Sequence, residues 1–202
     1  MPEHPPLSSE ELDFIRELFS RQWLGKLPSA HIFEIDGGPL ANALLARLGN
    51  QASLNLSAKL DDCRMTFPLQ VIEDEQHGLQ LKMEAPRIFR EGDMRRAWRL
   101  QLTEPLHLHN INGEESEMQI CELTPASLVL ISPLHPPPKS FSLWLQLPGG
   151  ENLPIRGRRI RPINRQRAAY SLRMQNHEHA ECLRRFIFEQ YRQQHPQLQI
   201  AG

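Results

Sequence analysis

The chain has 202 residues, of which 40% are hydrophobic and 23% are charged, and its formal net charge is −1 at pH 7. This composition is ordinary for one large or two small globular domains. No apolar run approaches the roughly 20 residues of a membrane-spanning helix, and the proline-rich, acidic N-terminus is unlike a signal peptide. The three cysteines are scattered and form no CxxC motif, so we expect a cytoplasmic protein.

Charge is distributed unevenly along the chain. Residues 1–86 contain 7 Lys/Arg and 13 Asp/Glu, a net charge of −6, whereas residues 87–202 contain 16 and 11, a net charge of +5. Of these 16 basic residues, 15 are arginine, the side chain best suited to a two-pronged contact with phosphate. An anionic ligand is therefore to be sought in the second part of the chain.

A helix is predicted near the N-terminus. Ser8 and Glu11 form a capping-box pattern, and apolar residues at helical spacing follow it. The predicted helix runs from about residue 9 to residue 23. Residues 1–30 are thus expected to form a helical extension.

Residues 31–86 are predicted to form a small β domain. Apolar and polar residues alternate around 54–58, 67–71 and 79–83, with turn-forming residues between them. Short strands separated by tight turns are typical of a small barrel or sandwich. The stretch 39–48 fits a short helix or an apolar strand, and periodicity does not decide between them.

Residues 87–94 are polar and contain Gly92, which is typical of a linker between domains. The remaining residues, 95–202, continue with alternating segments and end in an amphipathic pattern that predicts a helix over about 178–193. A proline-rich run at 133–138 cannot be a central strand. Strands are predicted at 98–102, 106–111, 118–123, 128–132, 141–147, 153–161 and 168–174.

The motifs of the common enzyme classes are missing from the sequence. It has no glycine-rich dinucleotide motif, no P-loop and no Gly-x-Ser-x-Gly. The histidine pairs His107/His109 and His177/His179 have no third metal ligand at a familiar spacing. We therefore expect neither an enzyme nor a metal site.

Two short motifs carry the functional argument. The first is Arg95-x-x-x-Arg99, which directly follows the predicted linker. The second lies about 20 residues later, where the segment Glu122-x-Thr124-x-x-Ser127 follows a predicted strand. In this order the two motifs resemble the PilZ family, which has Arg-x-x-x-Arg in an entry loop and Asp/Asn-x-Ser-x-x-Gly at a strand turn.

The resemblance to the PilZ family extends over residues 90–193. Leu147-Pro148, the strand 157–161, the strand 172–174 and the helical segment 183–187 resemble later parts of the family pattern. Residues 31–85 resemble, in pattern only, the small domain that precedes PilZ in YcgR-like flagellar brake proteins. The resemblance implies a mainly β fold with two small barrels, an N-terminal split barrel and a C-terminal six-stranded barrel, flanked by N- and C-terminal helices.

The family's ligand is cyclic di-GMP, which has two phosphates and two guanines. Arginine can fork onto a phosphate or onto a guanine edge and can stack on a purine. The sequence keeps both family arginines but has Glu in place of Asp/Asn, Thr in place of Ser and Ser in place of Gly in the second motif; Ser171 stands where glycine is common. The ligand-binding residues that the resemblance implies are Arg95, Arg96, Arg99, Glu122, Thr124 and Ser127.

Three functions remain open. The first is a cyclic di-GMP effector that changes the arrangement of its domains and so regulates a protein partner; the family implies the flagellar motor or the polysaccharide machinery. The second is a ligand-independent protein–protein adaptor. The third, nucleic-acid binding by residues 156–167, is disfavoured because the net charge is near zero and aromatic residues are few there. No cofactor and no membrane contact are expected, and the protein could be a monomer or a homodimer.

Overall fold

The computed structural model describes residues 31–34, 53–60, 62–73, 79–92 and 96–195. The helix predicted at 9–23, the undecided stretch 39–48 and Arg95 lie outside these residues. The described elements are β1 (His31–Glu34), β2 (Leu54–Leu60), β3 (Cys63–Glu73), β4 (Leu79–Met83), β5 (Arg87–Arg90), β6 (Arg96–Ala97), β7 (Leu100–His109), β8 (Glu115–Thr124), β9 (Ser127–Ile131), β10 (Ser140–Gln146), β11 (Asn152–Pro162), β12 (Arg167–Met174) and α1 (His177–Gln194).

The second half of the chain forms a closed antiparallel barrel. Its six strands follow the order β10-β11-β12-β9-β8-β7, and their alternating apolar residues, such as Leu128, Leu130 and Tyr170, are buried inside. The prediction of a six-stranded barrel followed by a helix is confirmed. The two strands predicted at 98–102 and 106–111 are a single strand, β7, because its pairing with β8 only shifts register between Gln101 and Leu106.

The first part of the chain forms another sheet, which we call the first sheet. Its path is β1-β4-β3-β5-β6, and β2 pairs with the free side of β3. The segment 87–94, predicted as a linker, begins with strand β5, which pairs with β3 through Cys63 and Arg90. The polar side chains of β5 suggested a loop, but the alternation of exposed Arg87 with buried Ile88 is that of a half-buried strand.

Helix α1 packs against both sheets. The Asn176 side chain caps it by accepting a hydrogen bond from the backbone N–H of His179, at 2.8 Å. Its buried face contacts the barrel strands β7, β11 and β12. The same face reaches the first sheet, where Phe188 lies edge-on to Phe67 with ring centroids 5.9 Å apart. The two sheets and the helix thus share one hydrophobic core.

A buried polar network fixes the first sheet to the helix. Arg184 donates to the Glu84 carboxylate at 2.8 Å, and the two side chains are only 7% and 4% exposed. Glu84 also contacts His177 at 2.7 Å and accepts from Gln70 at 2.6 Å. Glu181 accepts from the backbone N–H of Ala85 at 2.7 Å and from Arg184 at 2.6 Å. Each buried charge therefore has a partner.

Across the described ranges, no helix is long and apolar enough to cross a membrane. Within the same ranges, no three His, Cys, Asp or Glu side chains are grouped so as to hold a metal ion.

Candidate functional site

A small cavity opens on the outer side of the barrel, at the turn between β8 and β9. Its volume is about 130 Å³. Four of the six predicted ligand-binding residues line it: Arg99, Glu122, Thr124 and Ser127. The sequence motifs thus meet in space, although 22 residues separate Arg99 from the second motif.

The threonine of the second motif builds the turn. Thr124 is 3% exposed, and its hydroxyl accepts from the backbone N–H of Ser127 at 2.9 Å and of Ala126 at 3.2 Å. The same hydroxyl lies 2.9 Å from the Ser127 hydroxyl. Hydroxyl side chains stabilise tight turns in this way, so the Thr124 hydroxyl is already engaged within the protein.

Ser127 occupies the position where the family pattern has glycine. It is the first residue of β9 and pairs with Ser171 on β12 and with Thr124 on β8. The backbone of a strand is extended, a conformation that any residue adopts. The Cβ atom of Ser127 is therefore accommodated without strain at this position.

Arg99 and Glu122 form an ion pair beside the cavity. The guanidinium Nη1 donates to the carboxylate Oε2 at 2.8 Å, and the side chains are 50% and 22% exposed. Arg99 thus pairs with a residue of the second motif. An ion pair this accessible to water stabilises the fold by only about 0–1 kcal/mol, so an anionic ligand can compete for the arginine.

Arg96, which lies between the two arginines of the first motif, is placed differently from Arg99. Arg96 lies in β6, opposite Arg90 of β5, and is exposed; it does not line the cavity. Between Arg96 and Arg99, the buried Trp98 donates its backbone N–H to Ile88 at 2.8 Å. The first motif therefore enters the barrel through a segment that is attached to the first sheet.

Trp98 also contacts helix α1. Its ring lies edge-on to the ring of Tyr191, with centroids 4.9 Å apart, and 6.5 Å from the ring of His195. Because Trp98 directly precedes Arg99, a displacement of the Arg99 backbone reaches the contact between the first sheet and α1 within one residue.

Six further cavity residues were not predicted: Leu123, Leu128, Val129, Ile160, Arg161 and Ala169. Arg161 and Ile160 come from β11 and line the opening together with Ala169 of β12. A bulge between Arg159 and Arg161 shifts the strand register, so that Arg161 faces Ala169. The bulge that turns Arg161 toward the cavity has no clear sequence pattern, so this residue could not be found from the sequence.

The thiol below the cavity is not activated. Cys121 donates a long hydrogen bond, 3.5 Å, to the carbonyl oxygen of Val129, a cavity residue. Burial raises the pKa of the Cys121 thiol above its ordinary value of 9.0. The thiol is therefore neutral near pH 7, which makes it a poor nucleophile.

No protein-family model and no curated protein matches the sequence. Among solved structures, YcgR of Escherichia coli in complex with c-di-GMP is similar, with 15% identity and a TM-score of 0.40 over 86% of this chain and 79% of that chain. The MrkH–c-di-GMP complex of K. pneumonia has 11% identity and a TM-score of 0.40 over 87% and 78%. The motility inhibitor MotI/DgrA of Bacillus subtilis has 11% identity and a TM-score of 0.37 over 69% and 73%.

These likenesses to PilZ-domain proteins concern the fold and say nothing about ligand or partner. The chain itself is PilZ-like in the order of its parts. An arginine, Arg99, stands at the entry of a closed six-stranded barrel, the second motif forms the turn from β8 to β9, and α1 follows the last strand.

Proposed function

We propose that this chain is a PilZ-type effector that binds cyclic di-GMP on the outer face of its barrel and regulates a protein partner without catalysing a reaction. One observation carries the proposal. Arg99 and Arg161 line one cavity together with Glu122, from three segments that are distant in the chain.

The chemistry of these groups fits a cyclic dinucleotide. Arg99 and Arg161 can each fork onto a phosphate or a guanine edge. Glu122 can accept hydrogen bonds from the amine of a guanine. The cavity, at about 130 Å³, is smaller than the roughly 300–1,000 Å³ of usual small-molecule pockets. The ligand therefore lies across the barrel surface, and Arg95 and Arg96 close over it from the entry segment.

Binding exchanges one partner of Arg99 for another. The guanidinium leaves the Glu122 carboxylate, which lies 2.8 Å away, and contacts a phosphate. The exchange costs little because the exposed pair contributes only about 0–1 kcal/mol. Glu122 is then free to face a guanine.

The effect on a partner would pass through Trp98. This residue precedes Arg99 and is buried between Ile88 of the first sheet and Tyr191 of α1. A ligand that draws the entry segment onto the barrel changes this contact and thereby the arrangement of the two sheets. The ligand shifts that equilibrium only by its difference in affinity for the two arrangements. In the family, such effectors control motility or exopolysaccharide production in the bacterial cytoplasm.

A second function, a ligand-independent adaptor, is favoured by two contacts. The Thr124 hydroxyl is engaged in its own turn, and Arg99 already has a carboxylate partner. In this case the Arg99–Glu122 pair is a surface contact, and the buried network around Glu84 and Arg184 holds the protein in one arrangement for its partner.

Isothermal titration of the purified chain with cyclic di-GMP separates the two functions. If the chain is an effector, cyclic di-GMP should bind saturably. Arg99→Ala should then weaken binding at least about 10-fold, since a hydrogen bond to a charged group contributes about 1.5–3 kcal/mol. Arg87→Ala, at an exposed position of β5, is the matched control and should bind like wild type. Absence of heat for wild type at about 1 mM ligand, a ΔG° no better than about −4.1 kcal/mol, would exclude the effector and leave the adaptor.

A further inference from the structure

The barrel is strongly asymmetric in charge. Residues 127–175, which comprise β9, β10, β11, β12 and their connections, contain eight Lys/Arg and a single Asp/Glu, Glu151. The near-zero net charge of the chain conceals this segregation, because the acidic residues lie in other parts of the sequence. The sequence-based argument against a polyanion therefore does not hold for this half of the barrel.

Four of these eight cationic side chains line an open groove of about 730 Å³. Arg156 and Arg158 alternate with buried Ile155 and Gly157 on β11 and so point outward. In the antiparallel register, Arg173 of β12 stands opposite Arg156. Lys139, which directly precedes β10, extends the set. Serines complete the lining between the cations: Ser140, Ser142 and Ser171.

Among the described residues, the groove cations have no carboxylate counter-charge. Within residues 96–195 and the other described ranges, no carboxylate lies within ion-pair distance of Lys139, Arg156, Arg158 or Arg173. By contrast, Arg99 has a carboxylate partner in the neighbouring cavity. Several guanidinium groups crowded on one face repel each other, and an external anion relieves that repulsion.

We propose that this groove binds the phosphodiester backbone of a nucleic acid, without reading its sequence. Arginine forks match phosphate oxygens, and serine hydroxyls donate to them. The groove offers no exposed aromatic side chain, since its one aromatic residue, Phe141, is half-buried with its ring against Gly157. Base stacking is therefore excluded as a source of affinity. A protein interface would need an aromatic or apolar anchor at its centre, which the same lining lacks.

The groove is distinct from the cyclic di-GMP cavity, although the two are adjacent. Ser171 at the groove edge pairs with Ser127 at the cavity edge, but no residue lines both. Nucleic-acid binding therefore does not depend on the function proposed above.

The test measures the fluorescence anisotropy of a labelled DNA duplex of about 20 base pairs, mixed sequence, titrated with the full chain at several salt concentrations. Four phosphate contacts predict a slope of log K against log salt of about −3.6, a roughly 150-fold loss of affinity between 50 and 200 mM salt. Arg156→Ala/Arg158→Ala removes two contacts and should reduce the slope to about −1.8 and the affinity at about 50 mM salt at least 10-fold.

The control variants separate the effect of charge in the groove from the effects of side-chain geometry and of arginines outside the groove. Arg156→Lys/Arg158→Lys keeps the charges and should retain the slope, which also shows that the strand tolerates substitution. Arg87→Ala in β5 and Arg99→Ala in the cavity should bind the duplex like wild type. The proposal is wrong if wild type does not bind at about 50 mM salt, or if the double alanine variant binds equally well. It is also wrong if a poly-glutamate peptide of equal charge displaces the duplex as well as unlabelled DNA does, an outcome that assigns the groove to an acidic protein.

Discussion

Arg184 of helix α1 and Glu84, which directly follows strand β4 of the first sheet, form an ion pair of 2.8 Å, with both side chains almost completely buried. The pair joins residues that are 100 positions apart. Because a buried charge without a partner is far more costly than a buried pair, the two residues specify one way of packing the helix against the first sheet.

Replacing Glu84 with Gln should destabilise the protein strongly. The substitution keeps the shape but removes the negative charge that faces Arg184 and His177. Removing one partner of a buried pair costs about 3–5 kcal/mol, and the remaining contact from Glu181 to Arg184 favours the lower end of that range. Urea unfolding at neutral pH measures the loss.

The double variant Glu84→Gln/Arg184→Met tests the cause of that loss. It removes both charges, so stability should recover by at least about 1 kcal/mol relative to Glu84→Gln alone. Glu178→Gln, on the exposed first turn of α1, is the matched control and should change stability by less than about 0.5 kcal/mol. Equal losses in Glu84→Gln and the control would contradict the proposed role of the pair.

Thr124→Val should destabilise the barrel, whereas Thr124→Ser should not. Valine keeps the volume of threonine but leaves the N–H groups of Ala126 and Ser127 without the hydroxyl that accepts from them. Loss of a partner for buried polar groups costs about 1–3 kcal/mol. Serine retains the hydroxyl, so its variant should unfold within about 0.5 kcal/mol of wild type. Two variants of the same stability would show that the hydroxyl does not hold the turn.

The barrel was largely predictable from the sequence because its strands are half-buried. Each such strand shows apolar residues at every second position, as in Leu128 and Leu130 of β9. The helix was predictable because its apolar residues recur at helical spacing; its capping residue, Asn176, was not predicted. Strand β5 was not predictable, because its four residues have a single buried position, Ile88, which gives too short a pattern.

The arrangement of the candidate site was predictable only for residues that lie close together in the sequence. The β8–β9 turn has a local sequence pattern, so the proximity of Thr124 and Ser127 could be predicted. The contact of Arg99 with Glu122 depends on the pairing of β7 with β8, and the position of Arg161 depends on a bulge in β11. Both features depend on the register in which strands from distant parts of the chain pair. A single sequence does not show this register.

Stability should fall at alkaline pH because of the cysteines. Burial raises the pKa values of the Cys63, Cys121 and Cys182 thiols above the ordinary 9.0. In the unfolded chain the thiols ionise near their ordinary pKa, while the folded thiols still hold their protons, so the unfolded state gains free energy of ionisation. The contribution of the three thiols to the free energy of unfolding is complete below about pH 9. It is lost as the pH rises through the pKa values of the folded thiols.

Urea unfolding in the presence of a reductant, from about pH 7 to about pH 10, measures this loss. A variant with all three cysteines replaced by alanine lacks these thiols, and its unfolding free energy should decline less steeply over the same range. Burial also raises the pKa of Tyr170, but in the unfolded chain this side chain ionises only near its ordinary value of 10.0, so it contributes only at the upper end of this range. Parallel profiles for wild type and the triple variant would refute the role of the cysteines.

Arg161→Ala should weaken cyclic di-GMP binding as much as Arg99→Ala does. Both guanidinium groups line the cavity, but only Arg99 belongs to the arginine motif of the sequence. Loss of a hydrogen bond to a charged group predicts a decrease of about 10- to 150-fold in affinity. Arg165→Ala, an exposed neighbour in the β11–β12 connection that does not line the cavity, should bind like wild type. Calorimetric titration of the three variants decides the matter: normal affinity in Arg161→Ala would confine the site to the two motifs and show that the β11 bulge plays no part in binding.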